Sequence, residues 1–220
     1  HRMSFLTTLE CSAQCDAGPH DPHERQSLCA CGAPLLAQYD LNALANTWSR
    51  ETLLERPDTL WRYREVLPIA SGTSPVTLGE GFTPLIRTHR LEEKLGIRTL
   101  YVKDESQNPT QSFKARGLSV AVTRARDLGA STISVPSAGN AANALAAYAA
   151  QAGLSAEVFM PRDVKKPFIR ECELYGAHIT LVDGLITDAG RVAAERGRTA
   201  GWYDVSTLRE PYRIEGKKTM

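Results

Sequence analysis

Two turns in this sequence put reactive side chains where a helix should begin. The first runs Glu105-Ser106-Gln107-Asn108-Pro109-Thr110-Gln111-Ser112-Phe113-Lys114-Ala115-Arg116-Gly117. Asn108-Pro109 is a turn dipeptide and Ser112 a good N-cap, which places Lys114 in the first helical turn. A cation there sits at the positive end of the helix dipole, where it costs stability. The same field, with partial burial, lowers the amine's pKa and frees a neutral nitrogen for Schiff-base chemistry. A solvated lysine at a helix start fits the same spacing. The second turn, Val135-Pro136-Ser137-Ala138-Gly139-Asn140, opens onto the Ala-rich stretch Ala141 to Gln151. Ser, Gly and Asn are ordinary caps, yet small apolar side chains allow close burial of the helix that follows. Its N-terminus would then be an anion site with little water, suited to a substrate carboxylate.

Cysteine supplies the third chemistry. Four of the five cysteines crowd between positions 11 and 31, and Cys172 stands alone. An odd count with such crowding suits metal binding better than a disulfide framework. Cys11, Cys15, Cys29 and Cys31 are the candidate ligands. His20 and His23, beside Pro19 and Pro22, could replace a sulfur or be solvated turn residues. Cys172 falls on a helical stretch and reads as a buried, inert thiol.

The elements that must hold these groups show in the apolar pattern from Leu100 onward. Strand candidates Thr99 to Val102, Thr132 to Val135, Ala156 to Met160, His178 to Val182 and Trp202 to Val205 alternate with helix candidates over 112–128, 140–152, 164–175 and 186–198. Gly129, Gly153, Gly176 and Gly201 lie near the helix ends. This alternation predicts an α/β fold with an open, mainly parallel sheet and flanking helices. Ligands in such sheets sit beyond the carboxyl ends of the strands, which is where both turns fall. Residues 3–40 show little periodicity and read as a small knuckle held by something other than a core. Residues 41–97 are broken by Pro57, Pro68, Pro75 and Pro84, and Trp61-Arg62-Tyr63-Arg64 could pack on a larger body.

Composition narrows the classes. With 26 Lys+Arg, 25 Asp+Glu and 42% hydrophobic residues in 220, the chain is ordinary globular protein with a formal charge of +1. That balance gives no electrostatic reason for a nucleic-acid or acidic-membrane partner. The longest uninterrupted apolar run, Ala144 to Ala150, is far shorter than the roughly 20 residues of a spanning helix. No signal peptide is visible, so a cytoplasmic location is the default expectation, and His1-Arg2 before Met3 reads as a remnant of expression cloning.

Four motifs occur in order: Leu78-Gly79-Glu80-Gly81-Phe82-Thr83-Pro84-Leu85, Asn-Pro-Thr-x-Ser-Phe-Lys-x-Arg-Gly at 108–117, Ser-x-Gly-Asn at 137–140, and Glu210-Pro211-Tyr212-Arg213-Ile214-Glu215-Gly216-Lys217-Lys218-Thr219. From about Leu9 to the last residue the chain resembles the pyridoxal-phosphate enzymes of the tryptophan-synthase-β fold, and most closely the threonine synthases. The resemblance implies a pyridoxal-phosphate-dependent lyase that converts O-phospho-L-homoserine and water to L-threonine and phosphate. Lys114 would be the Schiff-base lysine, and Asn140 would hydrogen-bond the cofactor's ring hydroxyl. Ser137 and the N–H groups from Gly139 onward, with Asn140, would hold the substrate, and Arg213 matches the arginine near the substrate phosphate. The cysteine segment resembles the ribbon that precedes the catalytic body in many threonine synthases. It implies zinc on four thiolates or an empty vestige, although the first pair here has one residue more than the usual spacing.

Under the resemblance, 3–40 is a zinc-ribbon-like segment and 41–125 the first part of the large cofactor domain. Residues 126–201 would be a small mobile α/β domain, and 202–220 the return into the large one. The glycine-rich loop that cradles the cofactor phosphate comes later in the family than Met220. The chain therefore reads as the N-terminal piece of a longer enzyme, inactive by itself and a homodimer when complete. Ala138 and Ala141 stand where threonine synthases usually carry hydroxyls, which would weaken substrate recognition by about 1 kcal/mol each. Two other expectations stay open: a threonine or serine dehydratase-like eliminase of the same fold, and a non-catalytic fragment or binding module.

Overall fold

The computed structural model describes residues 4–220; His1, Arg2 and Met3, with the cloning-remnant reading of the first two, lie outside the described residues. Strands β1 (Leu6–Cys11) and β2 (Leu35–Tyr39) form an antiparallel hairpin closed by the cysteine knuckle. Two short helices follow, α1 (Leu41–Ala45) and α2 (Arg50–Leu54), then a 3-10 segment, Leu60–Val66. Strand β3 (Leu85–Arg87), helix α3 (His89–Leu95) and strand β4 (Tyr101–Lys103) come next. Beyond them lie α4 (Lys114–Asp127), β5 (Thr132–Pro136), α5 (Asn140–Ala152), β6 (Ser155–Pro161) and α6 (Lys166–Leu174). The chain continues with β7 (His178–Val182), α7 (Ile186–Ala200), β8 (Tyr203–Asp204) and α8 (Arg213–Lys217).

The fold is α/β, with a four-stranded parallel sheet in the order β7-β6-β5-β8. Alternation along β6 shows how that sheet is covered, because successive side chains in a strand face opposite ways. Val158 and Met160 join Leu118, Ile133, Leu145 and Tyr148 in the main core beneath α4 and α5. Phe159 turns the other way and packs with Ala189 and Ala193 of α7. Gly153 ends α5 in the left-handed conformation, at φ 68°, where its N–H reaches the carbonyls of Ala149 and Ala150.

One strand departs from the pattern read from spacing. The run predicted from Thr99 to Val102 becomes β4, which pairs antiparallel with β3 and takes no place in the parallel sheet. Local alternation marks an extended segment but does not name its partner, and β3 is three exposed residues, too few to show an alternation of their own.

The knuckle has a core after all, borrowed from the body. Leu9, Cys11, Cys29 and Leu35 are buried in one cluster with Leu60, Trp61, Leu67, Val120 and Tyr212. Polar ties reinforce the docking: Arg25 Nε donates to the Leu128 carbonyl at 3.1 Å, Tyr212 Oη to that of Pro22 at 3.0 Å and Tyr203 Oη to that of Gln26 at 3.1 Å. Low apolar periodicity hid this, because only alternate hairpin residues face inward and the loops between them carry thiols and prolines.

Helix α8 crosses α4 with no side chain between the backbones. A Cβ at Gly216 would lie 2.0 Å from the Arg116 carbonyl oxygen, and one at Gly117 would lie 2.8 Å from that of Arg213. Only glycine at both positions permits the approach. It lays the fourth motif directly on the second.

Candidate functional site

The lysine turn is built from polar contacts, exposed at its start and partly buried at its centre. Asp104 starts it by accepting from Ser106 N at 3.1 Å and Ser106 Oγ at 2.5 Å. Asn108 then bridges two motifs: its Oδ1 accepts from Gly81 N at 3.0 Å and its Nδ2 donates to Glu105 Oε2 at 2.8 Å. Glu105 also accepts Arg116 Nε at 2.7 Å, Arg116 Nη2 at 2.8 Å and Thr83 Oγ1 at 2.5 Å. Arg116, 1% exposed, spends Nη1 on Thr219, at 3.0 Å to the carbonyl and 3.2 Å to Oγ1. Burial alone would raise the Glu105 carboxyl, but the Arg116, Thr83 and Asn108 donors outweigh it and hold the group at about 2. Thr110 and Gln111 take φ of +56° and +52°, a conformation that costs on the order of 1–3 kcal/mol per residue and persists only where the surroundings over-determine it. Asn108, held by that network, accepts from Gln111 N at 2.9 Å and so ties the strained pair to it.

Lys114 lies in the first turn of α4, as the sequence predicts, but as its first residue, because the cap differs. Phe113 occupies the cap with αR backbone angles, while Ser112 is extended (φ −157°, ψ 157°). The Ser112 Oγ is buried and unpaired, and so is Thr110 Oγ1. The 3-10 turn Pro109–Gln111, invisible to periodicity, has displaced the helix start by one residue. Lys114 Nζ lies 4.2 Å from the centroid of the Phe113 ring and has no acidic partner among the described residues. Burial first, and the Arg213 charge second, lower its proton affinity.

The second turn is held differently. Ser137 N donates to the Phe159 carbonyl at 2.9 Å, which continues the β5–β6 pairing past the strand end. Gly139 is the α5 cap and Asn140 the first helical residue, with its side chain exposed. Neither Ser137 nor Asn140 has a side-chain hydrogen bond among the described residues. The first N–H groups of α5 have no preceding helical turn to bond to. Because α5 packs against α4 and against Pro109–Gln111, the two turns adjoin. Ala138 is exposed and Ala141 half-buried beside them.

Arg213 comes to the same place from the far end of the chain. It is 3% exposed; its Nη1 donates to the Val205 carbonyl at 2.9 Å, and its Nε is buried without a partner. Glu210, fully enclosed, accepts from Tyr212 N and Arg213 N at 2.7 Å each.

Sequence reasoning missed the carboxylate at the centre of the first motif. Glu80 is 0% exposed; its Oε1 accepts from Trp61 Nε1 at 3.0 Å and Ser119 Oγ at 2.6 Å, and its Oε2 from Tyr148 Oη at 2.6 Å and Leu78 N at 2.9 Å. It ties the 3-10 segment, α4 and α5 together. The flanking glycines were the available signal, since a carboxylate between two flexible residues can fold inward. Cys172 is buried as expected: its Sγ donates to Asn143 Oδ1 at 3.3 Å, and burial pushes the thiol up to about 12.

The four clustered cysteines meet. Sγ of Cys11 lies 3.5 Å from that of Cys31, Cys15 pairs with Cys29 at the same distance, and all four sulfurs fall within 4.8 Å of one another. A zinc tetrahedron with bonds of about 2.3 Å has sulfur–sulfur edges of roughly 3.8 Å, so the set can hold zinc with little adjustment. The Cys15 N–H leads the interactions that lower the Cys11 thiol to about 6. At Cys15 the Ala17 N–H favours the thiolate, but neighbouring Cys29, Cys11 and Cys31 outweigh it and raise that thiol to about 12. A cation among the four sulfurs would favour the thiolate form of the set. Neither histidine belongs to the cluster.

A lysine of lowered proton affinity at a helix start, beside an open helix N-terminus and unpaired buried hydroxyls, is a site for a carbonyl cofactor carrying anionic groups. Comparison with known proteins agrees: residues 76–220 match the pyridoxal-phosphate-dependent enzyme family, and the chain belongs to it. Pyridoxal phosphate is the cofactor of that family, and Lys114, Thr110, Ser112 and Asn140 fit it as the groups without partners around the site.

The particular relatives are threonine synthases. That of Methanocaldococcus jannaschii is 38% identical over 202 residues, covering 91% of this chain and 50% of the relative. That of Methanosarcina acetivorans is 35% identical over 220 residues, covering 99% and 52%. The chain thus spans about half the length of these curated relatives. Among solved structures, a pyridoxal 5'-phosphate-dependent aspartate racemase superposes with a TM-score of 0.56 at 26% identity, covering 61% of this chain and 42% of the other. Threonine deaminase isoform 2 from Solanum lycopersicum gives 0.56 at 24% identity over 62% and 38%, a likeness of fold alone.

Proposed function

We propose that the intact gene product is a threonine synthase, acting on O-phospho-L-homoserine and water to give L-threonine and phosphate. What supports this reading is the packing of α5, which the Ser137–Asn140 turn opens, against α4 and Pro109–Gln111, with the Arg213 charge acting on Lys114, in a chain whose curated relatives are threonine synthases. The cofactor, when bound, supplies an electron sink for charge developing on the substrate carbons. Lys114 would hold it and would move protons at the α- and β-carbons of the substrate, a task suited to an amine whose proton affinity burial has lowered. Asn140 hydrogen-bonds the ring hydroxyl. Ser137 Oγ and the N–H groups of Gly139 and Asn140 take the substrate carboxylate, favoured by the positive end of α5. Arg213 takes the phosphate on the side chain being eliminated. Cys11, Cys15, Cys29 and Cys31 would hold zinc, which would close the knuckle.

A second reading, an eliminase acting on threonine or serine, is favoured by Ala138 and Ala141, which lack hydroxyls for a phosphorylated substrate. Phosphate release from O-phospho-L-homoserine against ammonia release from threonine separates the two. Lys114→Ala in the intact gene product is expected to lower turnover by about 10³-fold or more while circular dichroism is unchanged. Borohydride should fix the cofactor to the peptide carrying Lys114 in the wild type only. Wild-type turnover in the variant would overturn the reading.

A further inference from the structure

Two adjacent lysines in the fourth motif have opposite fates. Lys218 is spent: its Nζ reaches Glu215 Oε2 at 2.5 Å and lies 4.1 Å from the centroid of the Tyr39 ring. The side chain of Lys217, half-buried, has no hydrogen bond and no ion pair among the described residues. It lies one helical turn beyond Arg213 on α8, so the two side chains share a face. That face meets α4 at Gly117, three residues past Lys114. A Cβ at Gly117 would find Arg213 Cγ at 3.1 Å and Lys217 Cε at 3.6 Å, so the missing side chain leaves both cationic stems lying along α4.

Three cations are thereby gathered around one glycine. Burial, then Arg213 and Lys114, lower the proton affinity of Lys217, and Glu210 opposes them weakly. The carboxyl of Glu210 is turned to its own N–H donors at Tyr212 and Arg213, and Arg213 keeps a buried Nε with no acceptor. Gathering like charges in a half-buried place costs stability unless an anion sits among them, and an anion there would raise the proton affinity of both lysines.

We propose that Lys217 is a specificity-determining residue that, with Arg213, binds the doubly charged phosphate of the substrate and selects it over a neutral hydroxyl side chain. This rests on the threonine synthase reading and supplies the phosphate recognition that Ala138 and Ala141 do not. A dianion satisfies two cations, and Lys217 contributes a point charge beside the planar guanidinium.

The test is Lys217→Met in the intact gene product, with Lys217→Arg as the rescue. The expected result is a KM for O-phospho-L-homoserine raised at least 10-fold with kcat changed less than 3-fold, competitive inhibition by inorganic phosphate weakened in parallel, and both restored by arginine. The cofactor absorbance should be the same in all three proteins, which separates loss of the subsite from loss of the fold. Unchanged KM and unchanged phosphate inhibition would overturn the proposal. An independent readout needs no turnover: inorganic phosphate should protect Lys217, and not the surface residue Lys94, from acetylation scored by peptide mass spectrometry. If the wild type fails to consume O-phospho-L-homoserine, the threonine synthase reading falls. Protection by phosphate then supports the anion subsite, and its absence overturns the subsite as well.

Discussion

The two turns that meet at the site are built on opposite plans. Around Lys114, Asn108, Glu105, Thr83 and Arg116 spend nearly every donor and acceptor on one another, and the network draws in Gly81 and Thr219 from distant motifs. Around Asn140 the side chains bond to nothing else described, and the backbone alone shapes the loop. The difference separates scaffold from reception. A covalent anchor gains from being over-determined, since its geometry must persist after the bond is made. A loop that holds ligand by hydrogen bonds must keep those bonds unspent.

The largest expected effect that could break this comparison comes from Arg116→Met. It leaves the Glu105 carboxylate enclosed without its cation and should cost about 3–5 kcal/mol in urea unfolding. Asn140→Ala should cost within about 0.5 kcal/mol while weakening cofactor binding. Equal destabilisation by the two would erase the distinction. Acid sharpens it: Glu105 is lowered to about 2 from its ordinary 4.5, so its stabilisation is complete above 4.5 and is lost as pH falls towards 2. The Arg116 variant should lose that acid limb.

The knuckle extends the comparison to a third region, with a smaller expected effect. A strong chelator should remove one zinc per chain and speed amide exchange at Gln14 and at Cys29–Gly32. The β1–β2 hairpin should stay protected, because Leu9 and Leu35 belong to the shared core. Hairpin exchange rising with that of the loops would show that the metal, rather than the docking, holds the segment.

The smallest effect is expected at Glu210. Burial pushes its carboxyl up to about 7, against two N–H donors that favour the charged form. Its folded-state pKa exceeds the unfolded 4.5, so the native state holds the extra proton in that interval and stability falls as pH rises from about 4.5 through 7. Glu210→Gln keeps an acceptor for both N–H groups and should flatten the slope of thermal midpoint against pH; parallel slopes would remove Glu210 from the account.

What the sequence made legible was local. Lys114 and Asn140 could be placed at helix starts because turn dipeptides and small-residue runs act over a few positions, and His178–Val182 and Asn140–Ala152 appear where periodicity put them. Pairing was not legible: nothing in Tyr101-Val102-Lys103 says that Leu85–Arg87 lies beside it. Buried charge was not legible either, because Glu80 and Arg116 look like surface residues until their donors and acceptors, 2 to 103 positions away, are assembled. Lys217 escaped notice because its meaning depends on Gly117, a residue with no side chain to suggest a contact.

The docking of the knuckle has a consequence in time. Tyr39 bonds Glu215, Tyr203 bonds the Gln26 carbonyl and Tyr212 that of Pro22, across 176, 177 and 190 positions of chain. A ribosome adding about 5–20 residues per second needs roughly 10–40 s to cover such a span. For that interval the cysteine segment and Tyr39 have emerged while Tyr203, Tyr212 and Glu215 do not yet exist. Its thiols are made first, and Tyr212 is the last member of their shared apolar cluster to be added.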